Sequence, residues 1–568
     1  MFYKAKDVLP CDAPPDNPTS DIPELTPDDD DDVPSLPDDA SISDSTISDS
    51  PPIETQPWTL VQSKRNRKAS KKSKRSSKKR SKKHVKVKGR WVGGGHKQNR
   101  STALEERVSP TARSATHFLL FSIAAKENRP LHIGDIPSAF LQAKHEPADG
   151  RTVFIRADQE TTRLIVKAYP DYLPYVTPKG TMILEVARAL YGLVESAWLW
   201  YQELMRTVSA IGYTICEGDR GLIIKRVIKN GKCVASHIVS IHVDDLIAAP
   251  SNNAEGRRLS KEFWDTLEQK WPGIKHQHGP YFKHLSWDIH QDPHTGVIKR
   301  SQHSFIRDIT QHLRSPDRTE KFPTRSDFLQ SRPESPLIPP NGVSTFRSML
   351  QKVAYARDGR PDIDFAVSHL QRRQNTPSET DWRDLEHLLY YLRTHPEHWI
   401  IHNPSDLQLR AYVDASYNLN LEGHSHYGYI ITLGHALSTL KGGRIKTVVR
   451  SSTEAEIAGV NEAISEILWA RDVMIELGFP QNEIQIAEDN DSCITMLQTE
   501  PRNFQTKSKH VRIKWAFFRQ EYDKGLIKLV FCPTHRMRAD ILTKPLRGNA
   551  FKSHNDAICT GSPMDLTH

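Results

Sequence analysis

Apolar and polar positions alternate with period two at several places along the chain, which predicts half-buried strands. Leu131, Ile133 and Asp135 share one such face, and a helical turn is expected to begin at Pro137. Ser236–Ala249 reads as a strand, a tight Asp-Asp turn and a second strand. Leu407, Leu409, Ala411 and Val413 alternate and end at Asp414. Tyr427–Leu433 and Ala436–Leu440 predict a hairpin around Gly434-His435. Ile457, Val460, Ile464, Ile467, Leu468 and Ile475 keep helical spacing after Ser452, and Gly478 with Pro480 should stop that helix. Glu483–Ala487 is a short strand leading into Glu488-Asp-Asn490, Ser508–Asp523 a basic helix carrying aromatics, and Leu526–Phe531 a last strand. Pro533–Leu542 follows with Asp540, as loop or helix. Between these regions, Trp382–Arg393 is amphipathic and Pro316–Val343 is polar and Pro-rich, as in a hinge. Residues 549–568 show no pattern.

Charge changes the picture at the N-terminus. Residues 1–60 hold 15 Asp and Glu against 2 Lys, with 11 Pro. Such a segment cannot bury enough apolar surface to offset its ordering entropy, so disorder is expected. Residues 61–90 hold 16 Lys and Arg and no acid. The run Lys64–Lys83, including Lys71, Lys72, Lys78, Lys79 and Arg80, is expected to stay extended and to bind nucleic acid or direct nuclear import. The alternative is a solvated linker. The longest apolar stretch, around His117–Ala125, is too short to span a bilayer, so no membrane partner is expected. The six cysteines form no Cys-x-x-Cys pair, which argues against a zinc knuckle or a disulfide scaffold.

The chemistry lies in carboxylates at predicted element ends. Asp244 and Asp245 sit in a tight turn amid apolar residues, a costly arrangement unless something neutralises them. Two carboxylates from one turn and a third from a neighbouring strand would hold a pair of Mg²⁺ ions about 3.5–4 Å apart, as in-line nucleotidyl transfer requires. Four more carboxylates, Asp414, Glu456, Asp489 and Asp540, also fall at element ends. Glu456 stands three residues after Thr453 and is open to a second reading as a capping-box partner, with Glu454 as the alternative acid.

The first region resembles the reverse transcriptase of copia-type LTR retrotransposons. Lys88-Gly-Arg-Trp-Val is similar to the family's Lys-Ala-Arg-Leu-Val, and Glu106-Arg-Val-Ser-Pro-Thr-Ala-Arg113 to its Thr-Phe-Ser-Pro-Val segment. Asp135–Leu141 resembles Asp-Val-x-x-Ala-Phe-Leu, Ala189-Leu-Tyr-Gly-Leu193 the same five residues, Trp200-Tyr201 a Trp-Tyr pair, and His242-Val-Asp-Asp245 Tyr-Val-Asp-Asp. The resemblance implies that Asp135, Asp244 and Asp245 bind Mg²⁺, with Mn²⁺ as a substitute. It makes Phe140 the gate under the sugar of the incoming dNTP, and Lys88 and Arg90 its triphosphate contacts. Three departures stand out. His242 replaces Tyr, and a partly protonated imidazole there would weaken metal binding. Val194-Glu195 replaces Lys-Gln and puts an acid near the template–nucleotide surface. Gly94 takes the place of an Arg.

The second region resembles an RNase H domain through Ser451–Glu456, Glu488-Asp-Asn490, Thr506-Lys-Ser-Lys-His510 and Ala539–Pro545. That likeness implies Asp414, Glu456, Asp489 and Asp540 as ligands of two ions. Lys507, Lys509, His510 and Arg512 would grip an RNA–DNA hybrid, or else form a solvated helix face; His535 would assist product release, or else be a surface residue. Gly359-Arg-Pro-Asp-Ile363 is similar to the family's Thr-Arg-Pro-Asp-Ile, expected in a connection that rides on the hybrid.

The implied fold is multidomain, α+β and α/β: a right-hand polymerase (fingers, palm, thumb) followed by an RNase H-like domain. Its expected parts are a disordered linker at 1–85, fingers and palm at 86–315, thumb or connection at 316–405, the nuclease at 406–548 and a tail at 549–568. The partners implied are RNA template, DNA primer, RNA–DNA hybrid and dNTPs, in a cytoplasmic particle or the nucleus. No protease triplet and no His-His-Cys-Cys cluster is visible, so the chain is expected to be the C-terminal part of a longer polyprotein; the alternative to an active enzyme is a catalytically silent retroelement remnant that only binds nucleic acid.

Overall fold

The computed structural model describes residues 92–95, 108–146, 150, 152–315, 317–330, 334–418, 424–504 and 508–562. The strands predicted around Asp135 and Asp244 belong to one six-stranded sheet. His132–Asp135 lies between Asp245–Pro250 and Lys275–His278, antiparallel to both. Lys232–His242 pairs with Asp245–Pro250 as a hairpin, and Leu222–Lys229 and Thr214–Ile215 extend the sheet. Helices Ser196–Ala210 and Ala254–Lys270 supply Trp200, Leu204, Phe263 and Trp264 to the core on one face of the sheet.

Helix Ser114–Lys126 contributes Phe118, Leu120 and Ile123 to the core on the other side. It has no continuous polar face and is buried nearly all round, its Thr116, His117 and Ser122 side chains hydrogen-bonded to Asp219, Ser240 and His402. It packs between the six-stranded sheet and strand Ala436–Arg444 of the second region, so the two regions share one core. Polar contacts fix that junction. Arg113 Nη2 donates to both carboxylate oxygens of Glu466, at 2.8 and 2.9 Å, and the guanidinium stacks 3.9 Å over Trp469. Trp469 Nε1 donates to the Gly218 carbonyl at 2.8 Å. Glu476 accepts from the Glu217 and Gly218 amides.

The second region is a five-stranded mixed sheet. Its order is Ala436–Arg444, His426–Leu433, Leu409–Ser416, Ile484–Glu488, Ile527–Phe531. The first three strands are antiparallel and the last two pairings parallel. Gly434 takes φ +60° in the expected hairpin turn. The long helix runs Ser452–Glu476, and Gly478 at φ +92° ends it.

Two elements differ from the sequence reading. Helix Asp491–Gln498 follows directly on Asn490, whose side chain caps it by accepting from the Cys493 amide. Residues 549–568 are not patternless: Gly548–Thr560 is a helix. Its Phe551, His554 and Ile558 are buried at helical spacing amid polar neighbours that dilute the apolar signal. Within 316–343, Thr324 and Phe328 are buried. Arg360 and Asp362 of the Arg-Pro-Asp segment are buried and paired with each other at 2.7 Å. Tyr391 Oη and the His395 carbonyl complete that network, so these side chains face inward. No helix among the described residues is long and apolar enough to cross a membrane.

Candidate metal centres

Strand register builds the first centre. Asp245 pairs with Asp135, and Asp135 with Lys275, so the three form one row across three strands. Asp244 occupies the two-residue turn beside that row. Its neighbour Val243 has φ +61°, a left-handed conformation that β-branched residues strongly disfavour. Two hydrogen bonds hold the turn. Trp200 Nε1 donates to the Val243 carbonyl at 2.9 Å, and the Ile136 amide donates to the Asp244 carbonyl at 3.0 Å. Trp200 is fully buried, which explains a tryptophan at that position.

Burial and the Asp244 and Asp135 charges push the Asp245 carboxyl up to about 6. Lys275 Nζ stands 2.5 Å from Asp135 Oδ2 and draws that carboxylate toward the sheet edge. Among the described residues, Asp135, Asp244 and Asp245 do not form a group with three ligand oxygens within 4.8 Å of one another.

The three departures read differently in the fold. Burial holds the His242 imidazole below its ordinary value, with Asp244 opposing, which favours the neutral form. Glu195 is not at a substrate surface; it is 1% exposed and pairs with His145 at 2.8 Å. Gly94, the third departure, is exposed, while its neighbours Gly93 and Gly95 lie backbone to backbone against Tyr191–Leu193. A Cβ on Gly95 would stand 2.0 Å from the Gly192 carbonyl oxygen, closer than any side chain can be accommodated. Phe140 is half-buried in helix Ala139–Gln142, its ring 4.7 Å from that of Tyr191.

The second centre gathers carboxylates from four segments. Asp414 lies on a central strand, Glu456 on the long helix, Glu488 and Asp489 at the end of a parallel strand, and Asp540 at the start of helix Asp540–Thr543. Two groups have ligand oxygens within 4.8 Å: Asp414, Asp489 and Asp540; and Glu456, Glu488 and Asp489. Asp414, Glu456, Glu488 and Asp540 are buried. Lys544 reaches Asp540 at 2.7 Å and Asp414 at 3.4 Å, and Thr543 Oγ1 donates to Asp414. Burial raises Glu456 and Glu488 well above the ordinary carboxylate range, reinforced by their acidic neighbours. Burial raises Asp414 as well, with Lys544 opposing. Glu456 Oε2 and Glu488 Oε2 are buried without a hydrogen-bond partner. Oxygen donors at this density, two of them orphaned, fit a hard divalent cation.

The two readings of Glu456 are separated by the helix cap. Ser451 caps the helix and bonds the Glu454 amide, while Glu454 accepts from the Arg450 amide at the surface. Glu456 is left in the acid cluster. Glu488, Lys544 and Lys275 were missed by sequence reasoning. Ile484, Ile486 and Glu488 share one face of their strand, the isoleucines fully buried, which marks Glu488 as inward. Lys544 stands four residues after Asp540, the helical pairing distance.

Lys509, His510, Arg512 and His535 are exposed. Lys71, Lys72, Lys78, Lys79, Arg80, Lys88, Arg90 and Lys507 lie outside the described residues, as does the whole segment 1–85 expected to be disordered.

Residues 55–324 match a family described as reverse transcriptase (RNA-dependent DNA polymerase). The Retrovirus-related Pol polyprotein from transposon RE1 of Arabidopsis thaliana is 27% identical over 487 residues, covering 83% of this chain and 30% of that protein. Its counterpart from transposon RE2 of the same plant is 26% identical over 479 residues, with the same shares. The chain thus spans about 30% of the length of these relatives. A foamy viral protease-reverse transcriptase solved in complex with RNA/DNA hybrid aligns with 76% of this chain and 46% of its own, at 12% identity and a TM-score of 0.41.

Proposed function

We propose that this chain, which carries a copia-type retrotransposon reverse transcriptase region, is an RNA-directed DNA polymerase with an associated ribonuclease H. The observation that carries the reading is the cross-strand pairing of Asp135 with Asp245 beside the Asp244 turn. In this reading residues 86–315 are fingers and palm, 316–405 thumb or connection, and 406–548 the nuclease.

Asp135, Asp244 and Asp245 would hold Mg²⁺ at the polymerase centre, and Asp414, Glu456, Asp489 and Asp540 would hold it at the nuclease. The bound ions, with Mn²⁺ as a substitute, supply activation of the attacking oxygen and neutralisation of the leaving charge. The residues do the rest. Trp200 and the Ile136 amide fix the turn that carries Asp244. Phe140, backed by Tyr191, forms the floor under the dNTP sugar. Lys88 and Arg90 neutralise its triphosphate. Lys507, Lys509, His510 and Arg512 bind the phosphates of an RNA–DNA hybrid, and the basic run at 64–83 adds sequence-independent affinity for the RNA template.

The test is primer extension by the full chain on an RNA template with a DNA primer and dNTPs, in Mg²⁺ and then Mn²⁺. Extension that disappears in Asp244→Asn/Asp245→Asn supports the reading. Extension that survives it overturns the assignment. No extension, with hybrid cleavage that depends on Asp414, leaves a nuclease alone.

A further inference from the structure

The buried acid cluster holds one carboxylate more than the four assigned above. Glu488 ends a strand paired in parallel on one side with Ile527–Phe531, and it is fully buried. Its Oε1 accepts from the Asn490 amide at 3.3 Å. Its Oε2 has no partner, and neither does Oε2 of the buried Glu456. One oxygen each of Glu456, Glu488 and Asp489 lies within 4.8 Å of the others. The nearby ammonium, Lys544, is engaged with Asp414 and Asp540. Among the described residues no lysine or arginine forms an ion pair with Glu456 or Glu488. Buried carboxylate oxygens left without donors cost several kcal/mol unless a cation or proton meets them. Hard divalent cations bind oxygens at about 2.0–2.6 Å, so one ion spans oxygens roughly 4–5 Å apart.

We propose that Glu488 is itself a metal ligand, holding one Mg²⁺ or Mn²⁺ ion with Glu456 and Asp489, while Asp489 is shared with a second ion at Asp414 and Asp540. This rests on reading the second region as a two-ion nuclease. Glu488 and Asp489 are consecutive, yet both reach the same side because the strand ends between them. The two ions are then held unequally. One shares its ligands with Lys544, and the other meets acids alone.

The test is Mn²⁺ binding to the full 568-residue chain, read as loss of the free-ion electron paramagnetic resonance signal. Asp244→Asn/Asp245→Asn forms the background and silences the first centre. The background is expected to bind two ions. Adding Glu488→Gln should weaken one of them at least tenfold and spare the other, and adding Asp414→Asn should weaken the other. Two undiminished ions in Glu488→Gln, with loss in Asp414→Asn, overturn the role of Glu488 and leave the nuclease reading intact. No effect of Asp414→Asn overturns both. Glu488→Gln keeps the shape of the side chain but cannot ionise, so its unfolding temperature in EDTA should match or exceed the background. Should it fail to fold, Glu488→Asp keeps the charge and shortens its reach. That variant should also bind Mn²⁺ more weakly, and unchanged affinity there overturns the proposal.

Discussion

The two acid centres of this chain solve one problem in opposite ways. The first is open: Asp135, Asp245 and Lys275 form a row across three strands, and Asp135 keeps 38% of its side chain exposed. Its acids are brought together by a hairpin and one neighbouring strand. Solvent screens their repulsion, and the cost is concentrated in the strained turn at Val243. The second is closed: five carboxylates from four segments are packed into a core, with Lys544 against two of them. Its cost is desolvation, spread over the whole domain. An open site therefore depends on its local geometry, and a closed one on the stability of its surroundings and on a cation.

The sharpest way to break this comparison is to remove one acid at a time. Asp244→Asn should lower primer extension by roughly 10³-fold, about 4 kcal/mol of transition-state stabilisation, and leave hybrid cleavage intact. Asp414→Asn should do the reverse. A shorter chain ending at 547 loses the burial of Phe551 and Ile558, on the order of 3–5 kcal/mol. Because that helix packs on helix Asp540–Thr543, denaturant unfolding should show the loss and cleavage should suffer more than extension.

Trp200→Phe removes the donor to the Val243 carbonyl and should cost about 1–3 kcal/mol. Here extension should fall further than cleavage, since the turn that relaxes carries Asp244. Lys275→Met, by contrast, should change stability by at most about 1 kcal/mol, because the ion pair is largely exposed.

Titration sharpens the contrast between open and closed. Asp245, Glu456 and Glu488 all have folded-state values above their ordinary ones. At these three sites the folded chain holds protons that the unfolded chain has lost, so their own contribution to stability falls as pH rises, opposite in sign to that of the buried histidines. In EDTA the unfolding temperature of the wild type relative to Asp245→Asn should drop from about pH 4 through about pH 6 as Asp245 ionises, and relative to Glu488→Gln it should go on dropping at higher pH. Mg²⁺ should restore the lost stability at high pH and have little effect at pH 4.

The open centre was almost fully legible in the sequence. Alternation placed Asp135 at a strand end, and the Val-Asp-Asp turn announced itself between two apolar runs. Lys275 was not legible, because its role arises from a register between strands 140 residues apart. The closed centre was legible in its four segment ends but not in Glu488 or Lys544. Glu488 was hidden by the Asp-Asn that follows it, although its phase with Ile484 and Ile486 pointed inward. The meaning of Glu195 was also invisible: only the fold brings His145 against it. The terminal helix was missed because its four buried positions are scattered among polar residues.

The most direct test is to follow extension and hybrid cleavage together on one labelled RNA–DNA substrate, with wild type, Asp244→Asn and Asp414→Asn full chains. Two separable losses, extension in the first variant and RNA cleavage in the second, are what two distinct metal centres predict. Joint loss in folded variants, or activity untouched by either change, would contradict the account.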